Sequence, residues 1–275
     1  AGKDGKVKIW EDEGEQNFGE MISLCSHDSP VNHVVLSASG AFMFSCGMDG
    51  NVIVWDYREA DQIAKFNASS SVSSVTRSHD DRYIFTASSD GKVKLWNTLG
   101  AEKASSEDFT NLCAVACTVD ALVVITETTV YRQTYQKLRE TFLQDAEVLY
   151  NVKKQKITAT ALSPDFSIIA IGRNSGKVSF ALIEGKAVIQ TFRVEGEIID
   201  LQFSPYSYEL CAITSNSLVI WNLESKKIVH SYTMDNCQFT CVAWANSRNF
   251  FVGCSEGNIV TLRVVERSTN KSARK

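Results

Sequence analysis

The sequence predicts an all-β chain that folds as a seven-bladed β-propeller, and three observations predict it. One hairpin recurs: "SSDGKVKLWNTLG" at 88–100 has near copies starting at Lys3, Met48 and Asn174. The segments between these hairpins alternate apolar and polar residues and are bounded by turn residues, as strands are. The units return about every 40 residues, which is the period of a four-stranded propeller blade.

Each unit is predicted to close on a strand at the same place in the repeat. The predicted closing positions are Trp10, Trp55, Trp96, Tyr131, Ala181, Trp221 and Arg263. The first three are 45 and 41 residues apart. The interval of 125 residues from Trp96 to Trp221 accommodates two further units that lack the closing tryptophan. The Asp-Gly and Ser-Gly pairs before several of these strands supply the positive φ angles that tight hairpins need.

The first unit is predicted to be incomplete, because Ala1 stands directly before its turn and the inner strands of that unit are missing. We expect about 30 further residues upstream, from the repeat length. Residues 1–266 are predicted to form a single propeller domain. Residues 267–275 are predicted to be a basic, flexible C-terminal tail.

Composition narrows the functional classes. The 275 residues carry a formal net charge of −4, so the whole chain is no polycation, although a local basic face is compatible with that charge. The longest uncharged apolar runs have the length of strands and are far short of a membrane span. No basic-then-apolar leader opens the sequence, so we expect a cytoplasmic protein without a membrane partner.

The eight cysteines are predicted to be buried free thiols of a reducing compartment, since they are sparse and lie mostly in apolar runs. Two pairs have four-residue spacing, Cys113 with Cys117 and Cys237 with Cys241. On a strand such residues lie about 13 Å apart, too far to share a zinc ion. We expect no metal and no organic cofactor.

Four polar and aromatic residues resemble the hydrogen-bonded cluster of the WD-repeat family, in which hairpins end in Trp-Asp. His27, Ser45, Asp49 and Trp55 match that pattern in order, and Thr86, Asp90 and Trp96 match it without the histidine. The resemblance implies that these residues are structural, because a buried indole N–H and a buried carboxylate need partners. Trp10, Trp55, Trp96 and Trp221 are accordingly expected to be structural.

Three stretches are more specific: "KVKLWNTLG" at 92–100, residues 195–229, and "CQFTCVAWANSRNFFVGCSEGNIV" at 237–260. They resemble the third, sixth and seventh blades of the receptors for activated C-kinase, G-protein-β-like WD-repeat scaffolds of the eukaryotic small ribosomal subunit. The resemblance implies a divergent, non-catalytic scaffold on the 40S head that docks on rRNA and ribosomal proteins. It also implies that the chain links translation to signalling or regulatory factors.

The same resemblance implies an rRNA-binding site. Members of that family carry Arg-Asp-Lys at the turns of blades one and three, and these cations face rRNA. Here Lys3 keeps one of those cations, while Lys6 and Lys92 lie close to the equivalent turns, so these three lysines are the candidate rRNA-binding residues. The family's arginines are absent, which implies weaker electrostatics. Whether the basic tail contacts RNA stays open.

Two other classes remain. A WD-repeat adaptor of a non-ribosomal complex is the alternative, including a G-protein β-like subunit, although no coiled-coil heptads of such a subunit are present. An enzyme is the third class. His33, His79 and His230 have no nucleophile or carboxylate in a catalytic spacing, and "GKV" lacks the remainder of a phosphate-binding loop. We therefore expect neither catalysis nor a small-molecule substrate.

Overall fold

The computed structural model describes residues 1–14, 17–185, 187–234, 237–246 and 249–263. Within them the chain forms 25 β-strands and one short α-helix, arranged in seven antiparallel sheets. The chain divides into two compact units, Ala1–Ile157 and Thr158–Lys275. The predicted tail at 267–275 lies outside the described residues.

The first unit contains four sheets. Its strands are β1 Lys6–Gly14, β2 Asn17–Cys25, β3 Val31–Leu36, β4 Phe42–Gly47, β5 Asn51–Asp56, β6 Gln62–Asn67, β7 Val72–Arg77, β8 Tyr83–Ser88, β9 Val93–Asn97, β10 Glu102–Ser105, β11 Leu112–Cys117, β12 Ala121–Thr126, β13 Thr129–Thr134 and β14 Glu147–Asn151. Strands β1 and β2 pair alone, and the other twelve form three four-stranded sheets in chain order.

The second unit contains three sheets. Its strands are β15 Ile157–Leu162, β16 Ile168–Arg173, β17 Lys177–Leu182, β18 Val188–Arg193, β19 Asp200–Phe203, β20 Glu209–Ile213, β21 Ser217–Asn222, β22 Lys227–Thr233, β23 Phe239–Trp244, β24 Asn249–Cys254 and β25 Ile259–Arg263. Strands β15–β18 and β19–β22 form four-stranded sheets, and β23–β25 form a three-stranded one.

These sheets bear out the all-β repeat, and all seven predicted closing positions lie on strands. Six sheets have three or four strands, as a propeller blade does, whereas the first has only two. The described residues therefore contain six sheets of blade size, one fewer than the predicted seven blades.

The sequence analysis did not predict the helix α1, Tyr135–Glu140, which lies between β13 and β14. It is only six residues long and buries a single side chain, Leu138. Such a short segment has no helical periodicity that a sequence pattern could reveal. None of the helices described in the chain is long and apolar enough to cross a membrane.

The core lies between neighbouring sheets, because the alternating faces of each strand pack on the sheets at either side. In the first unit Val7 and Ile9 of β1 pack with Met43, Ile53 and Trp55 of the next sheet. In the second unit the ring of Phe192 stacks on Trp221, with centroids 4.5 Å apart. These contacts explain why consecutive strand residues are apolar on both faces.

The Asp-Gly turns have the geometry that the sequence predicts. Gly91 has a φ of +84°, which is the left-handed region that glycine favours. A Cβ atom at this position would lie 2.5 Å from the carbonyl oxygen of Phe109, so no other residue fits without displacing the backbone.

Candidate functional site: turn edge and WD clusters

The turns before β1, β5 and β9 lie along one edge of the first unit, which we call the turn edge. Residues 26–30 bridge the first two turns, since Val31 N donates to Gly2 O at 3.0 Å and Met48 N donates to Pro30 O at 2.9 Å. Residues 68–71 bridge the next two in the same way, through Ala68 N to Gly50 O and Ser89 N to Ser71 O, both at 2.8 Å. The three turns are therefore neighbours on one surface.

The first WD cluster lies just beneath this edge and brings together the four residues that the sequence singled out. His27 Nε2 lies 2.8 Å from Ser45 Oγ, and its Nδ1 lies 3.1 Å from both carboxylate oxygens of Asp49. Trp55 Nε1 donates to Ser45 Oγ at 2.9 Å. The His27 side chain is fully buried and that of Asp49 is 6% exposed. The arrangement joins two sheet strands, a turn and the connection before the sheet.

Asp49 is held as a carboxylate by its neighbours. Burial raises the pKa of Asp49, but hydrogen bonds from the Asn51 side chain and backbone, from His27 and from Asp28 N outweigh it and leave the pKa below its ordinary value. The Nδ2 of Asn51 donates to Asp49 Oδ2 at 2.9 Å. The sequence analysis did not identify Asn51 as part of the cluster.

The second cluster is smaller. Trp96 Nε1 donates to Thr86 Oγ1 at 3.0 Å, and both residues are buried. Asp90 is not joined to them: its Oδ1 accepts instead from Ser88 Oγ at 2.7 Å and from Lys92 N at 3.2 Å. Asp90 therefore stabilises its own turn, and the expected three-residue set separates into an indole–hydroxyl pair and a turn carboxylate.

The other two tryptophans of the prediction differ from these. Trp221 is half-buried, its ring stacks on Phe192, and its buried Nε1 has no hydrogen-bond partner among the described residues. The expectation that Trp10 is structural is wrong, since its side chain is 43% exposed. Val7 and Ile9 lie on the packed face of β1, whereas alternation along the strand places Trp10 on the open face.

The three candidate lysines all lie on the turn edge. Lys6 N donates to Asp4 Oδ1 at 3.1 Å, just as Lys92 N donates to Asp90 Oδ1, so these two lysines occupy equivalent positions in their turns. Lys3 and Lys6 are exposed and Lys92 is half-buried. Among the described ion pairs, none involves these three lysines.

The same edge also carries exposed acids. Asp4, Asp28, Asp90, Glu107 and Asp108 are all exposed in or beside its turns. Lys65 reaches over the edge, donates to Ser26 O at 2.7 Å and lies 3.8 Å from Asp28. The turn edge therefore offers separate cationic points and has no continuous basic field.

The cysteines only partly match the prediction. Cys46 and Cys211 are buried free thiols, but Cys25 and Cys241 are exposed, and Cys237 forms a disulfide with Cys254. The prediction of eight buried free thiols is therefore wrong for four of them. No group of three or more potential metal-ligating side chains occurs among the residues that the structure describes.

Two protein-family models match parts of the chain. Residues 19–56 and 60–97 match the family model "WD domain, G-beta repeat". Residues 160–247 match the model of the "Anaphase-promoting complex subunit 4 WD40 domain".

Two plant proteins are similar to part of the chain. "Small ribosomal subunit protein RACK1y" of Oryza sativa subsp. japonica is 35% identical over an alignment of 118 residues that covers 39% of this chain and 34% of that protein. "Small ribosomal subunit protein RACK1z" of Arabidopsis thaliana is 40% identical over 80 residues, 29% of this chain and 24% of that protein. The match thus spans about a third and a quarter of these relatives' lengths. With the repeated sheets and the matched repeats together, the chain is an all-β WD-repeat protein of the β-propeller class.

Proposed function

We propose that this chain is a non-catalytic scaffold that binds the head of the small ribosomal subunit and docks there on rRNA and ribosomal proteins. The observation that carries the proposal is the identity of 35% and 40% to two plant proteins that are named small ribosomal subunit proteins. In this role the chain is cytoplasmic and ribosome-associated. It links translation to signalling or regulatory factors, as a receptor for activated C-kinase does.

The turn edge is the proposed docking surface. Lys6 and Lys92 extend from equivalent positions of two turns, and Lys3 lies beside the first of them. Ammonium groups at such points contact phosphates without reading sequence, and each contact releases about one counterion. Because exposed acids alternate with these lysines, the RNA contribution is small and protein neighbours supply most of the binding free energy.

The architecture proposed for this scaffold is a single seven-bladed propeller over residues 1–266. In it the sheet of β1 and β2 is the outer part of an incomplete first blade. The proposed role of His27, Ser45, Asp49 and Trp55 is structural: they hold the connection at 26–30 on the turn edge. Thr86 and Trp96 have the corresponding structural role in the sheet β7–β10, and Asp90 stabilises the turn that carries Lys92.

Co-sedimentation with purified small subunits over a salt series tests the docking surface. We expect the double charge reversal Lys3→Glu/Lys6→Glu to dissociate at lower salt than the wild type, because it replaces two phosphate contacts by repulsion. Arg58→Glu/Arg82→Glu is the matched control, since both arginines are exposed and lie at the opposite ends of the strands. Identical sedimentation of the Lys3→Glu/Lys6→Glu variant and the wild type at every salt concentration would contradict the proposed RNA contact.

The second candidate function is a WD-repeat adaptor of a non-ribosomal complex. It is favoured by the match of residues 160–247 to the WD40 domain model of an anaphase-promoting complex subunit. Polysome sedimentation of cell extract separates the two functions. The ribosomal scaffold migrates with small subunits and polysomes, whereas an adaptor remains in lighter fractions.

A further inference from the structure

A cavity of about 390 Å³ opens in the first unit, at the edge opposite to the turn edge. It lies between the sheet β7–β10 and the helix α1. Its volume is within the range of cavities that bind ligands or single anchoring side chains. Among the described residues, no other sheet has a helix at this place. The connection between β13 and β14 has 12 residues, against four or five at the same place in the other four-stranded sheets.

The floor and walls of this cavity are apolar. Phe85 and Leu138 are buried at its base, and the ring of Tyr135 is stacked over Phe85 with centroids 6.4 Å apart. Tyr83 and Val119 flank the opening and remain 40% and 56% exposed. Tyr135 is fixed in place, since its hydroxyl donates to Thr118 O at 3.0 Å. The cavity is therefore preformed and offers apolar surface that no described part of the chain covers.

The rim of the cavity is cationic. Lys103 and Arg139 line it, are exposed, and take part in none of the described ion pairs, and the exposed His79 also lines it. Lys103 is the only lysine or arginine between Trp96 and Tyr131. The one rim carboxylate, Asp80, is already engaged by Ser78 Oγ at 2.6 Å and by Arg82. Two cations without a described ion-pair partner thus lie at the rim of an apolar floor.

We propose that this cavity is a docking site for a short acidic segment of a partner protein, anchored by one aromatic or large aliphatic side chain. The anchor fills the apolar cavity, and acidic residues on either side of it pair with Lys103 and Arg139. In such interfaces the apolar anchor in the pocket supplies most of the affinity, and the charges at the rim supply specificity. The site is at the opposite edge from the proposed ribosome contacts, so it does not rest on them.

Charge complementarity decides the class of occupant. A basic segment, including the residues 267–275 of this chain with their four cations, would be repelled by Lys103 and Arg139. A neutral apolar ligand would leave both cations unpaired. An acidic segment with an apolar anchor covers the apolar floor and also pairs with both cations.

Fluorescence anisotropy on the purified chain tests the site. The probes are four labelled acidic peptides with phenylalanine, tyrosine, tryptophan or leucine at the centre, together with a serine-centred peptide and a lysine-rich peptide. We expect at least one of the four to bind and to weaken as salt rises, because rim charges are screened. The serine-centred and lysine-rich peptides are expected not to bind.

Two variants localise the binding. Lys103→Glu/Arg139→Glu is expected to weaken the best peptide by about tenfold or more, and Val119→Glu is expected to do the same by placing a carboxylate at the opening. All three replaced side chains are exposed, so the melting temperature should not change. Lys153→Glu/Lys154→Glu, which reverses two exposed cations remote from the cavity, is the matched control and should bind normally.

Three outcomes would overturn the proposal. These are no binding by any of the four peptides, equal binding of the serine-centred peptide, and equal loss of affinity in the Lys153→Glu/Lys154→Glu control. None of them bears on co-sedimentation with small subunits, so failure of this site and failure of the ribosomal proposal are distinguishable.

Discussion

Trp55 donates its indole N–H to the hydroxyl of Ser45 at 2.9 Å, across two neighbouring strands of one sheet. The same hydroxyl lies 2.8 Å from His27 Nε2, so one small side chain satisfies two buried polar groups. In the next sheet Thr86 serves only Trp96. This difference in the number of partners makes the contributions of the two hydroxyls separable by experiment.

Removing each hydroxyl should therefore have unequal effects on stability. Ser45→Ala leaves both the Trp55 indole and His27 Nε2 without a partner, whereas Thr86→Val leaves only the Trp96 indole. At about 1–3 kcal/mol for each unsatisfied buried group, Ser45→Ala should lower the free energy of unfolding about twice as much. Urea unfolding of both variants measures this, and equal losses would show that His27 contributes nothing through Ser45.

The exposed Trp10 and the buried Trp96 provide a matched pair. Trp96 is 4% exposed and packs on Phe66 with centroids 4.7 Å apart, so Trp96→Ala should cost about 3–5 kcal/mol of unfolding free energy. Trp10 is 43% exposed, and Trp10→Ala should cost less than about 1 kcal/mol. Thermal or urea unfolding of the two variants checks the assignment. A loss at Trp10 as large as that at Trp96 would mean that the open face of β1 is covered in the folded protein.

The pKa of Asp49 predicts a pH dependence of stability. Its folded pKa is lowered, so its contribution is fully present above the unfolded aspartate pKa of about 3.9 and is lost as pH falls through the folded value. Asp49→Asn should therefore be less stable than the wild type at neutral pH, and the difference should shrink under acid conditions. Melting temperatures from neutral to strongly acidic pH measure it. Asp28→Asn is the control, because the Asp28 side chain is 86% exposed; a difference for Asp49→Asn that stays constant with pH would contradict the prediction.

The disulfide should be detectable by cysteine labelling. In the native protein without reductant, Cys25 and Cys241 should react with an alkylating agent, because both are exposed. Burial raises the pKa of the Cys46 thiol to about 12, so this thiol should react only after unfolding. Cys237 and Cys254 should react only after reduction.

The same disulfide should also stabilise the second unit. Because the two cysteines are 17 positions apart in the sequence, the chain-entropy estimate for Cys254→Ser under oxidising conditions is a loss of about 3 kcal/mol. In reductant the variant and the wild type should become nearly equal. Labelling of Cys237 and Cys254 in unfolded protein without reductant would instead show that these two thiols are free.

The repeat and its strands could be predicted because the local sequence of each unit determines its turns and strands. Asp90-Gly91 requires a tight turn, and the alternating residues after it require a strand. The two indole–hydroxyl pairs, Trp55 with Ser45 and Trp96 with Thr86, could be anticipated for the same reason, since residue types and order are enough to suggest them. The separation of Asp90 from the second pair could not be.

The remaining features depend on distances that no local pattern contains. Cys237 and Cys254 approach each other only because β23 and β24 pair, and eight cysteines allow many pairings. Trp10 has the same sequence surroundings as Trp96, but the two differ in whether a neighbouring sheet covers their face. The cavity beside α1 needs both an added helix and the sheet β7–β10, so neither segment alone predicts it.

The backbone bonds of the turn edge have an evolutionary consequence. Gly2, Pro30, Gly50 and Ser71 tie neighbouring turns together through carbonyl oxygens, so the joints between sheets use no side chain of Lys3, Lys6 or Lys92. The charges of these three lysines can therefore be gained or lost by mutation almost without effect on folding. A repeated hairpin of this kind allows the binding residues at its turns to change while the fold is kept.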